Sequence, residues 1–188
     1  MLTTQLRRLA RDPSSGFVAV DSGVEGAGFD ADDGTLAEAG AEVVEDGPAL
    51  RAIPVGAPAP SGFSAFLDGI QRAAVRLYHG PVPVVHAYAA AVVRIREAGR
   101  LRTRYQEERE ALFFPFQLLD PALLEAAGVP RVQLMDTGPE TGEPLPLFPP
   151  LLHARASRRI NHWREELEAG LARRWCQRDE GPGWLLVD

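Results

Sequence analysis

Between residues 63 and 96 the chain is dense in apolar and β-branched positions, and this region predicts the centre of the fold. Phe63–Leu67 reads as a short strand that leads straight into Asp68, and Gly69 offers a place for the backbone to turn. Arg72–Tyr78 and Val82–Arg96 carry the strongest strand signals, with His79-Gly80-Pro81 as the turn between them. The three segments predict an antiparallel meander. Val82–Val93 is almost continuously apolar, as expected of a strand covered on both faces, and His86 within it reads as a packed, hydrogen-bonded core residue.

Outside the meander the pattern predicts three helices before the C-terminal one. Met1–Ala10 aligns Leu2, Leu6 and Leu9 on one side. Leu101–Leu112, rich in Arg and Glu, reads as a helix with a solvated charged face, and Pro121–Ala127 as a short one stopped by Gly128. Brief strands are expected at Phe17–Val20 and at Arg131–Met135, the latter running to Asp136. Phe113-Phe114-Pro115-Phe116 could stack bases, but packing under a loop is the favoured reading. Val24–Asp46 is acidic and glycine-rich, and Pro54, Pro58 and Pro60 punctuate a linker after it. The expected division is therefore an irregular N-terminal lobe and linker over residues 1–62 and a core over 63–188.

Leu151–Arg178 is the clearest helix. Ile160, Trp163, Leu167, Leu171 and Trp175 recur at helical spacing and form one apolar stripe. At about 100° per residue, Glu168 lies roughly 80° from the stripe's centre, Glu165 roughly 140°, and Glu166 roughly 120° the other way. Glu168 thus borders the buried face while its neighbours point outward. The same segment holds Arg155, Arg158, Arg159, Arg164, Arg173, Arg174 and Arg178, which could grip phosphates or simply solvate an exposed helix.

Acids at strand ends bring chemistry into view. Asp68-Gly69 could be a plain hairpin turn, for which that dipeptide is well suited. A carboxylate at the end of a buried strand, however, needs a partner, and a metal ion is a common one. Trp184-Leu185-Leu186-Val187-Asp188 repeats the pattern of an apolar run ending on an acid. Asp21, after Phe17–Val20, is a rival ranked lower because the glycine- and aspartate-rich run Gly26–Asp33 follows it.

Composition narrows the picture further. The chain has 188 residues, of which 45% are hydrophobic and 24% charged, ordinary values for a globular domain. No run of about 18 apolar residues signals a membrane span, and the polar N-terminus is no secretory signal, so the cytoplasm is the expected compartment. Cys176 is the single cysteine, which excludes a disulfide framework and a thiolate zinc site. All 20 basic residues are arginine, and the net charge of −6 argues against a uniformly basic coat for nucleic acid, though not against a local basic track.

Phe66-Leu67-Asp68-Gly69-Ile70-Gln71, the strand pair after it, the helix Arg164-Glu165-Glu166-Leu167-Glu168, and the closing Leu185-Leu186-Val187-Asp188 together resemble the NurA nuclease family over roughly residues 63–188. The resemblance implies an α/β, RNase H-like mixed sheet with a β-meander and a long C-terminal helix. It also implies manganese-dependent degradation of DNA in end processing, and a homodimer working with a HerA-type hexameric ATPase. Asp68, Glu168 and Asp188 would be the catalytic carboxylates and the ligands of Mn²⁺ or Mg²⁺, and Arg158, Arg159 and Arg164 would contact DNA. Divalent cations would relieve the repulsion among such carboxylates, and a pair of them about 4 Å apart can activate water for phosphodiester cleavage. Family members continue past the last acid, so the resemblance also implies a domain incomplete at its C-terminus, and weak cleavage by the 188 residues alone. The alternative from another class is a non-catalytic interaction module of the same fold, docking on the ATPase or dimerising. The two readings part on whether the three acids converge.

Overall fold

The computed structural model describes residues 2–20, 63–139, 143–178 and 183–187. Its centre is a mixed six-stranded sheet with one long helix across a face. The elements are helix α1 (Leu2–Arg11), strands β1 (Phe17–Ala19), β2 (Phe63–His79), β3 (Val82–Glu97) and β4 (Arg100–Phe114), helix α2 (Ala122–Ala126), strand β5 (Leu134–Asp136), helix α3 (Pro149–Cys176) and strand β6 (Trp184–Val187). Strands β2, β3 and β4 form an antiparallel meander that differs from the expected one, because Phe63–Leu67 and Arg72–Tyr78 belong to the single strand β2 and β4 supplies the third strand; β5 joins β4 in parallel. Since β3 occupies one edge of β2, both β1 and β6 lie along the other edge, β1 antiparallel at Leu77–His79 and β6 parallel at Phe63–Leu67.

Two tight connections hold the meander in register. His79 pairs with Val82 across Gly80-Pro81, and Gly80 has φ of 54°, which suits a II′-like turn with glycine first. Glu97 pairs with Arg100 across Ala98-Gly99, whose φ values of 47° and 75° give the doubly left-handed type I′ turn.

That second turn overturns the helix expected over Leu101–Leu112. Its alternation of inward and outward residues is a strand period, with Ala111 and Phe113 entering the core beneath α3. The many Arg and Glu side chains that favour a helix by propensity sit on exposed parts of a strand whose place is fixed by pairing with β3. A second correction concerns Asp68-Gly69, which is no turn and no strand end. β2 runs unbroken through it, with Asp68 opposite Val92 and Gly69 opposite Ala91. The other helices and short strands lie where the pattern put them, to within a few residues.

One face of the sheet is covered by α3. Ala156, Ile160, Trp163, Leu167, Leu171 and Trp175 are buried along the helix, against Ala65 and Leu67 of β2 and Val85, Ala87, Ala89, Ala91 and Val93 of β3. The run of alanines lets the helix come close and gives bulky residues such as Trp163 room to interdigitate. Trp163 meets Phe113 edge-on, with ring centroids 5.3 Å apart. Among the described residues the opposite face is covered at one end only. There α1 contributes Leu2, Leu6 and Leu9 to a second core with Leu77, Val84, Leu112 and Phe114. Residues 2–20 therefore join the same compact unit as β2–β6, and a boundary after residue 62 would separate elements that the sheet connects. Among the described residues no helix is long and apolar enough to cross a membrane.

Candidate functional site on the two faces of the central strand

Side chains alternate across a strand, so neighbours in β2 serve different faces. Ala65 and Leu67 are buried beneath α3, and Gly69 continues that series. Asp68 belongs to the other series. It is exposed and lines a groove of about 300 Å³ with Ile70, Tyr88, Val92, Arg94 and Glu108 on the uncovered face.

Glu168 occupies the α3 side of the strand, immediately over Gly69. A Cβ built on Gly69 would lie 1.9 Å from Glu168 Oε1, so the missing side chain of the glycine is the space the carboxylate fills. Glu168 is 8% exposed, and Arg164 one turn earlier donates a hydrogen bond from Nη1 to its Oε1. A carboxylate this buried needs such a partner, and the pair, one turn apart on α3, holds Glu168 in place over Gly69. The expected position of Glu168 at the border of the apolar stripe is thus observed.

Asp68 and Glu168 do not converge. They sit at consecutive levels of the same strand but on opposite faces, separated by its backbone. Among the described residues no group of three or more Asp, Glu, His or Cys side chains is placed to hold a metal ion. Asp68 with Glu168 accordingly does not fit a shared Mn²⁺ or Mg²⁺. Asp188 lies outside the described residues, as does the rival Asp21. The described register of β6 on β2 ends with Val187 opposite Leu67, each the residue before a predicted acid.

Nor do the three arginines of α3 form one patch. By helical geometry Arg158 and Arg159 point about 100° apart, and Arg164 more than 110° from either. Arg159 Nη1 lies 3.3 Å from Glu166 Oε1 and Arg164 is engaged by Glu168, while Arg158 is exposed. His162 adds contacts of 3.6 Å to Glu165 and 3.2 Å to Glu166, so both outward glutamates are paired on the helix surface.

The uncovered face carries polar groups that the sequence reading left unassigned. A groove of about 430 Å³ is lined by Ile70, Arg72, Ala73, Ala74, Arg76, His86 and Tyr88. His86 Nε2 is 2.7 Å from Glu110 Oε1, which bears out the hydrogen bond expected of it, but the side chain is 15% exposed and lines this groove in place of the core position expected on a strand covered on both faces. The Tyr88 hydroxyl donates to Glu108, and that bond raises the phenol above its ordinary pKa. Reading β2 and β3 at period two would have placed Arg72, His86 and Tyr88 on one face; the unbroken course of β2 is what made that face visible. Phe113 and Phe114 are fully buried, consistent with packing and not base stacking.

Comparison with known protein families, with curated proteins and with solved structures finds no match.

Proposed function

We propose that this chain is an RNase H-like domain of the NurA nuclease type, acting on DNA phosphodiesters in the cytoplasm. The observation that carries the reading is the strand order. A three-stranded antiparallel meander is followed by a long helix, and that helix leads into a strand lying parallel to the meander's first strand, on the edge away from the second. This arrangement supports the sequence resemblance, because it sets the two acid-ending runs, Phe63–Leu67 and Trp184–Val187, side by side in the same direction. A fold alone assigns no activity, so the proposal rests on the acids and not on the sheet. Asp68 and Asp188 are the strand carboxylates in this reading, and Mn²⁺ or Mg²⁺ is the cation. Glu168 is left out of the ligand set because it is spent on Arg164 across the strand from Asp68. The family's dimer and HerA-type ATPase partner belong to the same proposal.

A second reading has its own observation. The separation of Asp68 from Glu168 favours a non-catalytic module of this fold, and Trp184, Leu186 and Val187 on β6 are exposed as a docking strand would be. The test is cleavage of end-labelled single- and double-stranded DNA with Mn²⁺ under protein excess, wild type against Asp68→Ala. Weak cleavage lost in Asp68→Ala supports the nuclease. Cleavage indifferent to Asp68, or none by a folded wild-type chain, refutes it and leaves the docking module.

A further inference from the structure

The uncovered face of the sheet is divided by charge. Its β2 side presents Arg72 and Arg76, both exposed, and its β4 side presents Glu108 and Glu110. The acids are already engaged, Glu110 by His86 at 2.7 Å and Glu108 by the Tyr88 hydroxyl. Among the described residues neither arginine faces a carboxylate at ion-pair distance. Between the arginines the groove floor carries Ala74, a side chain small enough to leave about 430 Å³ of space, and Tyr88 pairs with Arg72 across the strands. At about 3.3 Å per residue the two guanidinium-bearing positions stand roughly 13 Å apart along β2. The irregularity between Val75 and Leu77 puts Arg76 at a bulge, a device that re-aims a side chain.

We infer that this groove binds a single-stranded phosphodiester chain, with Arg72 and Arg76 on phosphates two nucleotides apart and Tyr88 and exposed Ile70 under the bases. Guanidinium forks match phosphate oxygens, and an aromatic platform takes any base without reading its sequence. The direction of β2 then gives the track a destination, since the same face continues from Arg72 through Ile70 to Asp68. The inference rests on the nuclease reading only for the choice of DNA as the phosphate source. It moves the DNA surface from the arginines of α3 to the opposite face of the sheet.

The experiment is fluorescence polarisation of a labelled oligothymidylate, with EDTA present so that binding is separated from cleavage. Three chains are compared: wild type, Arg72→Ala/Arg76→Ala and Arg158→Ala. All three positions are exposed, so urea midpoints are expected to coincide and loss of binding cannot be loss of fold. The wild type should bind with an affinity that falls as salt rises. The double variant should bind at least tenfold more weakly, with a salt slope shallower by about 1.4, for two contacts at roughly 0.7 each on a single strand. Arg158→Ala should stay within twofold. A thymidine mononucleotide should compete better than inorganic phosphate if Tyr88 stacks the base, and Tyr88→Phe should bind as wild type while Tyr88→Ala does not. Unchanged binding in Arg72→Ala/Arg76→Ala, or no binding by wild type at low salt, overturns the inference. If Arg158→Ala alone loses binding, the DNA surface is α3, and the nuclease reading survives to be judged by the Asp68→Ala cleavage assay.

Discussion

Gly69→Ala adds a single methyl group where the structure has no room for one. The new Cβ would stand 1.9 Å from Glu168 Oε1, 2.8 Å from Cδ and 2.9 Å from Cγ. A flexible surface side chain would swing away at little cost. Glu168 cannot, because its side chain is 10% exposed and bonded to Arg164, which is itself 27% exposed. Either α3 shifts off β2 or the ion pair breaks with a carboxylate still mostly buried. Overpacking of this kind costs about 1–3 kcal/mol, and relief of the glycine's entropic penalty in a strand returns about 0.5–1 kcal/mol. The midpoints of the two ranges leave a net loss of about 1 kcal/mol, read as a lowered urea midpoint with unchanged slope. Removing the clashing group should rescue the variant: in Gly69→Ala/Glu168→Ala the two losses should fall short of additivity by about 1 kcal/mol or more. A Gly69→Ala chain within about 0.5 kcal/mol of wild type, the usual range for an uneventful surface change, would refute the placement of Glu168. Strict additivity in the double variant would refute it as well.

Three further outcomes follow from other parts of the fold. Trp163→Ala, which empties a 2% exposed position beside Phe113, should cost about 3–5 kcal/mol by urea denaturation. Ala98→Gly should stabilise the chain by about 1–2 kcal/mol, because alanine is held at φ of 47° in the β3–β4 turn; an unchanged thermal midpoint would argue against the type I′ geometry. Asp12 accepts hydrogen bonds from Ser14 Oγ at 2.6 Å and Ser14 N at 2.9 Å, and these hold its carboxyl below the ordinary 3.8. With the folded pKa depressed, its stabilisation is present above the unfolded pKa and lost as pH falls through the folded one. The gap between wild type and Asp12→Asn in urea midpoint should therefore be seen near neutral pH and close in strong acid.

The sequence made the β2–β3 hairpin, α1, α3 and an apolar last strand legible because each carries its own pattern, reinforced by glycine and proline at the His79–Val82 turn, while the direction of that last strand was not legible. It misled at β4, where charge-rich composition outweighed a type I′ turn built on Ala98-Gly99 without the usual asparagine. Asp68-Gly69 misled for a deeper reason. The same dipeptide suits a hairpin, a strand-end acid and a close helix approach, and only the register with β3 and the position of Glu168 select the third. The helical wheel placed Glu168 correctly at the edge of the buried stripe. What a wheel cannot supply is which face of β2 the helix covers, and that alone keeps Asp68 and Glu168 apart.

The central claim joins the proposed role of Asp68 on the uncovered face to the seating of Glu168, on α3, as a structural clasp over Gly69. Calorimetric titration of Mn²⁺ into wild type, Asp68→Ala and Glu168→Gln, with a urea midpoint for each, tests it most directly. The account predicts a saturable Mn²⁺ heat that Asp68→Ala abolishes with stability intact, and that Glu168→Gln retains at a lowered urea midpoint. Loss of the heat in both variants, with Glu168→Gln as stable as wild type, would mean that the two acids share one cation and that the opposite-face placement is wrong.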